Sequence, residues 1–131
     1  MNEGIRGLVE PVPVLSPEES VGKALERLSR QPIPFALAYF ERRWWCVTAA
    51  ALAGMPQTRA LMDTRLRQTV EIPPDLSMEE VLGILEREGG EVLIVVEGGR
   101  PLGVLRRSRV LKHLLDQAQN CLLYTSPSPR D

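Results

Sequence analysis

Apolar positions recur at i, i+3, i+4 and i+7 in Val21, Ala24, Leu25 and Leu28, and again in Met78, Val81, Leu82 and Leu85. Each set is one face of an amphipathic helix. The two stripes lie 57 residues apart, and an ungapped offset of 57 aligns much else. Leu15-Ser16-Pro17-Glu18 falls on Ile72-Pro73-Pro74-Asp75, Ser20 on Ser77, Phe35 to Tyr39 on Val92 to Val96, and Val47 on Val104. Further upstream, after a four-residue gap, Arg6 to Glu10 echoes Arg59 to Asp63. A series of matches in one order marks an internal repeat, which sets the architecture before any single residue does.

Both repeats predict the same elements. A short strand (about Val12 to Leu15, and about Thr69 to Ile72) leads into a turn containing proline. In the second repeat Ser77 and Glu80 have capping-box spacing, so a helix starts there. In the first, Ser16-Pro17-Glu18-Glu19 offers a comparable start one turn earlier. Two strands follow, at Phe35 to Phe40 and Trp44 to Thr48, then at Glu91 to Val96 and Pro101 to Leu105, with Gly98-Gly99 as a hairpin signal. The unbroken apolar runs FALAYF and VLIVV point to strands buried on both faces. Closing helices are predicted at Ala49 to Ala53 and Ser108 to Ala118. The expected fold is α/β in the α+β sense: two β-α-β-β-α units, residues 1–57 and 58–119, packed as one pseudo-symmetric module. One unit of this size buries little core alone.

The last eleven residues, Cys121 to Asp131 (CLLYTSPSPRD), have no periodicity and do not continue the preceding helical pattern. They resemble the translation of a transposase adapter used in sequencing libraries. Residues 120–131 are therefore read as a non-native tail and set aside. On that reading the natural chain continues past Asn120, and Cys46 is the one native cysteine, which leaves no disulfide framework.

Composition narrows the function. Sixteen Lys and Arg against 17 Asp and Glu give a net charge of -1, with no general attraction to nucleic acid or to an anionic membrane. No apolar run approaches the ~20 residues of a membrane span, and the start lacks a signal-peptide layout. A cytoplasmic protein is expected, and only Lys23 and Lys112 being lysine fits a GC-rich bacterial genome. Catalysis finds no constellation: His113 is the only histidine, and no Gly-rich phosphate loop, H-E-x-x-H or nucleophile elbow occurs. Neither enzyme chemistry nor a metal site is expected.

The residues from Leu61-Met62 through Thr69 to Leu82, and from Leu93 to Leu105, resemble a CBS domain. With the degenerate first repeat, the chain is similar to a tandem CBS pair, the regulatory unit also called a Bateman module. The resemblance implies an adenosine-containing ligand (AMP, ADP, ATP or S-adenosylmethionine) in the cleft between the repeats and no other cofactor. It also implies a homodimer, and an output domain in cis beyond residue 120 that responds to the ligand. The family's ligand motif runs Gly, two apolar residues, Ser or Thr, two variable residues, then an Asp that holds the ribose. In Gly103-Val104-Leu105-Arg106-Arg107-Ser108-Arg109, Arg106 stands at the hydroxyl and Arg109 at the Asp. In Cys46-Val47-Thr48-Ala49-Ala50-Ala51-Leu52 those places fall on Ala49 and Leu52. Both ribose-binding aspartates are missing.

Candidate ligand contacts are thus Arg106, Arg107, Ser108 and Arg109, with Thr48 and Ala49 from the first repeat. Two readings of the arginines stand: a phosphate site at the start of the last helix, or ion pairs with acids such as Glu86, Glu88 or Glu97. A degenerate pair that serves only in dimerisation or docking is the alternative to a sensor. Of Trp44 and Trp45, one ring is expected in the core and its neighbour outward, either at a dimer contact or stacked on adenine. Cys46, Met62 and Met78 read as core, and Val110, Leu111, Leu114 and Leu115 as an apolar stripe that could carry a signalling helix.

Overall fold

The computed structural model describes residues 5–125, with side chains described through Ala118. Two three-stranded sheets form, each with its helices on one face. In the first, β1 (Val14–Leu15) pairs parallel with β2 (Phe35–Phe40), which pairs antiparallel with β3 (Arg43–Thr48). In the second, β4 (Glu71–Ile72), β5 (Val92–Glu97) and β6 (Arg100–Arg106) repeat that order. The helices are α1 (Val21–Ser29), α2 (Ala49–Leu52), α3 (Met78–Glu88) and α4 (Arg107–Thr125). The β-α-β-β-α order holds in both units.

Local chemistry sets the helix starts. The Ser77 hydroxyl accepts from the Glu80 N–H at 3.1 Å, and the Glu80 carboxylate accepts from the Ser77 N–H at 2.9 Å, which completes the capping box. In the first unit Ser20 is the cap, accepting from the Lys23 N–H, not the residues one turn earlier. Ser16 instead closes a turn by accepting from the Glu18 N–H. Val21, Ala24 and Leu28 of the first stripe, and Val81 and Leu85 of the second, are buried.

The buried positions make three layers. Leu15, Val21, Ala24, Leu28, Ala36, Ala38, Val47, Leu52 and Leu61 fill the first helix–sheet core, and Ile72, Val81, Leu85, Leu93, Val95, Leu105 and Val110 the second. Leu37, Cys46, Ile94 and Val104 pack the opposite faces of the two sheets together. The apolar runs of β2 and β5 therefore meet a core on each face, as their lack of alternation requires.

The segment leading each repeat packs on the other one. Ile5 is fully buried in the second core and Leu61 in the first. Glu10 bridges to Val104 through two backbone hydrogen bonds of 2.8 and 2.9 Å, and Leu61 donates to the Glu19 carbonyl at 2.9 Å.

One departure from the ungapped repeat shapes the site. β6 carries a bulge: Val95 faces Gly103 and Val96 faces Pro101, so Leu102 is one residue too many. Beyond it the units correspond at an offset of 58. Val47 then matches Leu105, both in helix–sheet cores, and Cys46 matches Val104, both between the sheets.

α4 also runs further than its pattern predicts. Its backbone stays helical through Thr125, six residues into the segment read as tail. No Gly or Pro interrupts Arg107 to Ser126, and extending a formed helix costs little. The last six residues of that segment lie outside the described ones. Met62 is 43% exposed rather than core, while Met78 packs against the second core. Met62 sits in a short 3-10 turn, Leu61–Asp63, in which Leu61 alone is buried. No described helix is long and apolar enough to cross a membrane.

Candidate functional site

Where the two units meet, a cleft of about 680 Å³ opens beside the start of α2. Its apolar wall includes Phe35, Cys46 and Val92. Polar groups reach it from Thr48 and Thr69, with Arg67 and Glu91 supplying opposite charges. An apolar slot with a few convergent polar groups is the usual make-up of a small-molecule site. Arg67 is exposed and makes no ion pair among the described residues.

Thr48 supplies a hydroxyl at the head of α2. It directly precedes α2, and its Oγ1 accepts from the Ala51 N–H at 3.1 Å. At the ungapped offset of 57, Ala49 and Leu52 fall at the hydroxyl and acid positions. The bulge in β6 moves the correspondence by one residue, so these positions are Thr48 and Ala51. A hydroxyl is present in the first unit, and a methyl group stands where the acid would be. Ala49 lines the same cleft.

The corresponding place in the second unit is built differently. Arg106 matches Thr48 across the bulge, and Glu10, four residues before β1, matches Arg67, four residues before β4. These two side chains bind each other. Arg106 Nε donates to Glu10 Oε1 at 2.6 Å and its terminal nitrogen to Oε2 at 2.8 Å. Arg109 stands 3.6 Å from Oε2. The Glu10 side chain is 9% exposed. The Arg106 hydrogen bonds hold the Glu10 carboxyl below the usual carboxylate range, against the opposing effect of burial. Arg106 is raised in turn.

The structure thus divides the six candidate residues. Thr48 and Ala49 line the open cleft. Arg106 and Arg109 converge on Glu10, not on Glu86, Glu88 or Glu97. Ser108 is exposed, and the Arg107 N–H donates to the Glu91 carbonyl at 2.8 Å. Glu10, Arg67 and Thr69 were missed by the sequence reading. Their only signal was position relative to β1 and β4, which becomes legible once the strands are placed.

Neither tryptophan lines the open cleft. Trp45 stacks on Phe40 with ring centroids 5.1 Å apart and donates from Nε1 to the Phe40 carbonyl at 2.8 Å. Trp44 packs partly against the layer between the sheets, edge-on to Tyr39. With Tyr39, Arg42, Glu71, Val96 and Gly99 it lines a separate hollow of about 370 Å³. Burial pushes the Cys46 thiol up to about 12, which suits packing and not nucleophilic chemistry.

Comparison with known proteins agrees with this architecture. A family model, "CBS domain", matches residues 59–116. No curated protein matches the chain. Among solved structures, a CBS domain-containing protein of unknown function from Kribbella flavida is 16% identical at a TM-score of 0.66, over 83% of this chain and 96% of that one. The cytosolic domain of the Mg2+ channel MgtE in complex with ATP is 22% identical at a TM-score of 0.68, over 82% of this chain and 47% of that one. Staphylococcus aureus OpuCA is 12% identical at a TM-score of 0.71, over 86% of this chain and 98% of that one. At these identities the likeness is one of fold.

Proposed function

We propose, for a chain whose residues 59–116 are a CBS domain, that the two repeats form a non-catalytic regulatory module. The module senses an adenosine-containing nucleotide in the cleft beside Thr48. The observation that carries this reading is the cleft: an apolar slot between the units with a hydroxyl, a cation and an acid at its rim. Phe35 and Val92 offer the ring its apolar contacts, the Thr48 hydroxyl and Glu91 face the sugar, and Arg67 takes the phosphates. The MgtE cytosolic domain, a structural neighbour in complex with ATP, supports the choice of ligand class.

A ligand seated between two units regulates by binding one arrangement of them better than another. The output domain that would respond lies in cis beyond residue 120, reached through α4, whose Leu111 and Leu115 are 47% and 57% exposed. A cytoplasmic homodimer completes the reading. The missing acid at Ala51 and the ion pair at Arg106 favour the alternative of a scaffold without a ligand.

Calorimetric titration of the chain with AMP, ADP, ATP and S-adenosylmethionine separates the two. Saturable binding of one ligand, weakened about tenfold for the phosphorylated ones by Arg67→Ala, is the expected result. No heat from any of them with the chain folded removes the sensor reading and leaves the scaffold.

A further inference from the structure

The two repeats place polar groups at corresponding positions, yet use them in opposite ways. In the first, Thr48 and Arg67 face a shared open volume. In the second, the residues in those same places, Arg106 and Glu10, are bonded to each other.

We propose that Glu10 is a built-in occupant of an anion site in the second repeat: its carboxylate fills a phosphate-type site made by Arg106 and Arg109. The two-pronged contact, 2.6 and 2.8 Å from one guanidinium to two oxygens of one group, is the geometry by which arginine holds a phosphate or carboxylate ligand. Arg109 adds a second cation 3.6 Å from the same oxygen.

The chain delivers this carboxylate by its backbone. Glu10 is fixed to Val104 through both its N–H and its carbonyl, and Ile5 anchors the segment in the second core. Gly103 makes the approach possible. A Cβ there would lie 2.7 Å from the Glu10 carbonyl carbon and closer still to its oxygen. In the first unit Trp45 stands where Gly103 stands, across the bulge, so no such strap can seat on β3. Arg67, in the place of Glu10, is left facing the open cleft.

One carboxylate against Arg106 and Arg109 leaves positive charge in excess. Removal of Glu10 therefore uncovers a receptor for a phosphate-rich anion. This inference stands on the ion pair alone, whether or not the Thr48 cleft takes a nucleotide, and its test accordingly uses inorganic pyrophosphate.

The chain and its Glu10→Gln variant are titrated with pyrophosphate by calorimetry at low salt. The variant binds one equivalent, at least about tenfold tighter than the unaltered chain, and a further Arg106→Ala change removes the gain. Equal affinity in the chain and Glu10→Gln overturns the proposal, as does a gain that survives Arg106→Ala. Should Glu10→Gln fail to fold, Glu10→Asp keeps the charge but withdraws it by one methylene. It is read the same way, with a smaller gain expected and equal affinity again overturning the proposal.

Discussion

Replacing Gly103 with alanine tests whether the leading segment is seated on β6. Gly103 has φ +150, where side chains are strained, and its added Cβ would meet the Glu10 carbonyl carbon at 2.7 Å and the Pro11 Cα at 3.0 Å. Both neighbours are backbone, so relief requires the whole strap to withdraw. Withdrawal breaks the 2.8 and 2.9 Å hydrogen bonds between Glu10 and Val104, at about 1 kcal/mol each. It also loosens the charge-assisted bonds to Arg106, at about 1.5–3 kcal/mol. The expected loss is about 4 kcal/mol, which lowers Tm by roughly 12–16 °C for a chain of this size. Gly99→Ala is the matched control. Its φ of +81 is also unfavourable, but nothing lies within 4 Å of the added atom, so about 1 kcal/mol is expected. Thermal unfolding of both variants decides the matter. Equal Tm losses would refute the reasoning, because they would leave backbone strain as the whole effect.

Three further outcomes follow from the same geometry. The β2–β3 hairpin turns on Glu41 (φ 55) and Arg42 (φ 65), where β5–β6 uses Gly98 and Gly99; Glu41→Asn with Arg42→Gly should raise stability in urea by about 1–2 kcal/mol, and an unchanged midpoint contradicts this. Cys46, at about 12, holds only ~10⁻⁴ of its thiol as thiolate at pH 8; in a Cys121→Ser background it should label with a thiol reagent only on unfolding, and labelling of the folded chain at the unfolded rate counts against its burial. Because the folded Glu10 carboxyl sits below its ordinary value, its contribution to stability is full above an unfolded value of about 4.3 and is lost as pH falls through the folded one. The stability gap between the chain and Glu10→Gln should therefore shrink on acidification, and a gap that is constant from neutral to acid pH removes this assignment.

Much of the fold was legible because it is written locally. A helix needs an apolar stripe and a cap within a few residues, and Ser77 with Glu80 meets that requirement inside one turn. The buried strands show as unbroken apolar runs, and the doubling shows as one spacing repeated. Where two local signals compete, position along the chain does not rank them. Ser16 and Ser20 both precede α1, and only the placed chain shows that Ser16 closes a turn while Ser20 caps the helix.

The site was less legible, because it depends on a register that strand pairing sets. The extra residue at the Val95/Val96 bulge is silent in the composition of β6, yet it moves the hydroxyl position of the first repeat from Ala49 to Thr48. The arginine cluster was visible, but its partner was not. Glu10 and Arg106 stand 96 residues apart, and no periodicity links a leading segment to the last strand of the other repeat.

By itself the sequence determined the doubled β-α-β-β-α order, the helix faces and the residues able to fill a core, since propensity, capping and burial pattern act over a few neighbouring residues. The tertiary structure alone decided which leading segment lies on which unit, that the place beside Thr48 stays open, and that Glu10 pairs with Arg106 at the corresponding place. Those outcomes depend on backbone approach at Gly103 and on charges brought together only when both sheets are packed.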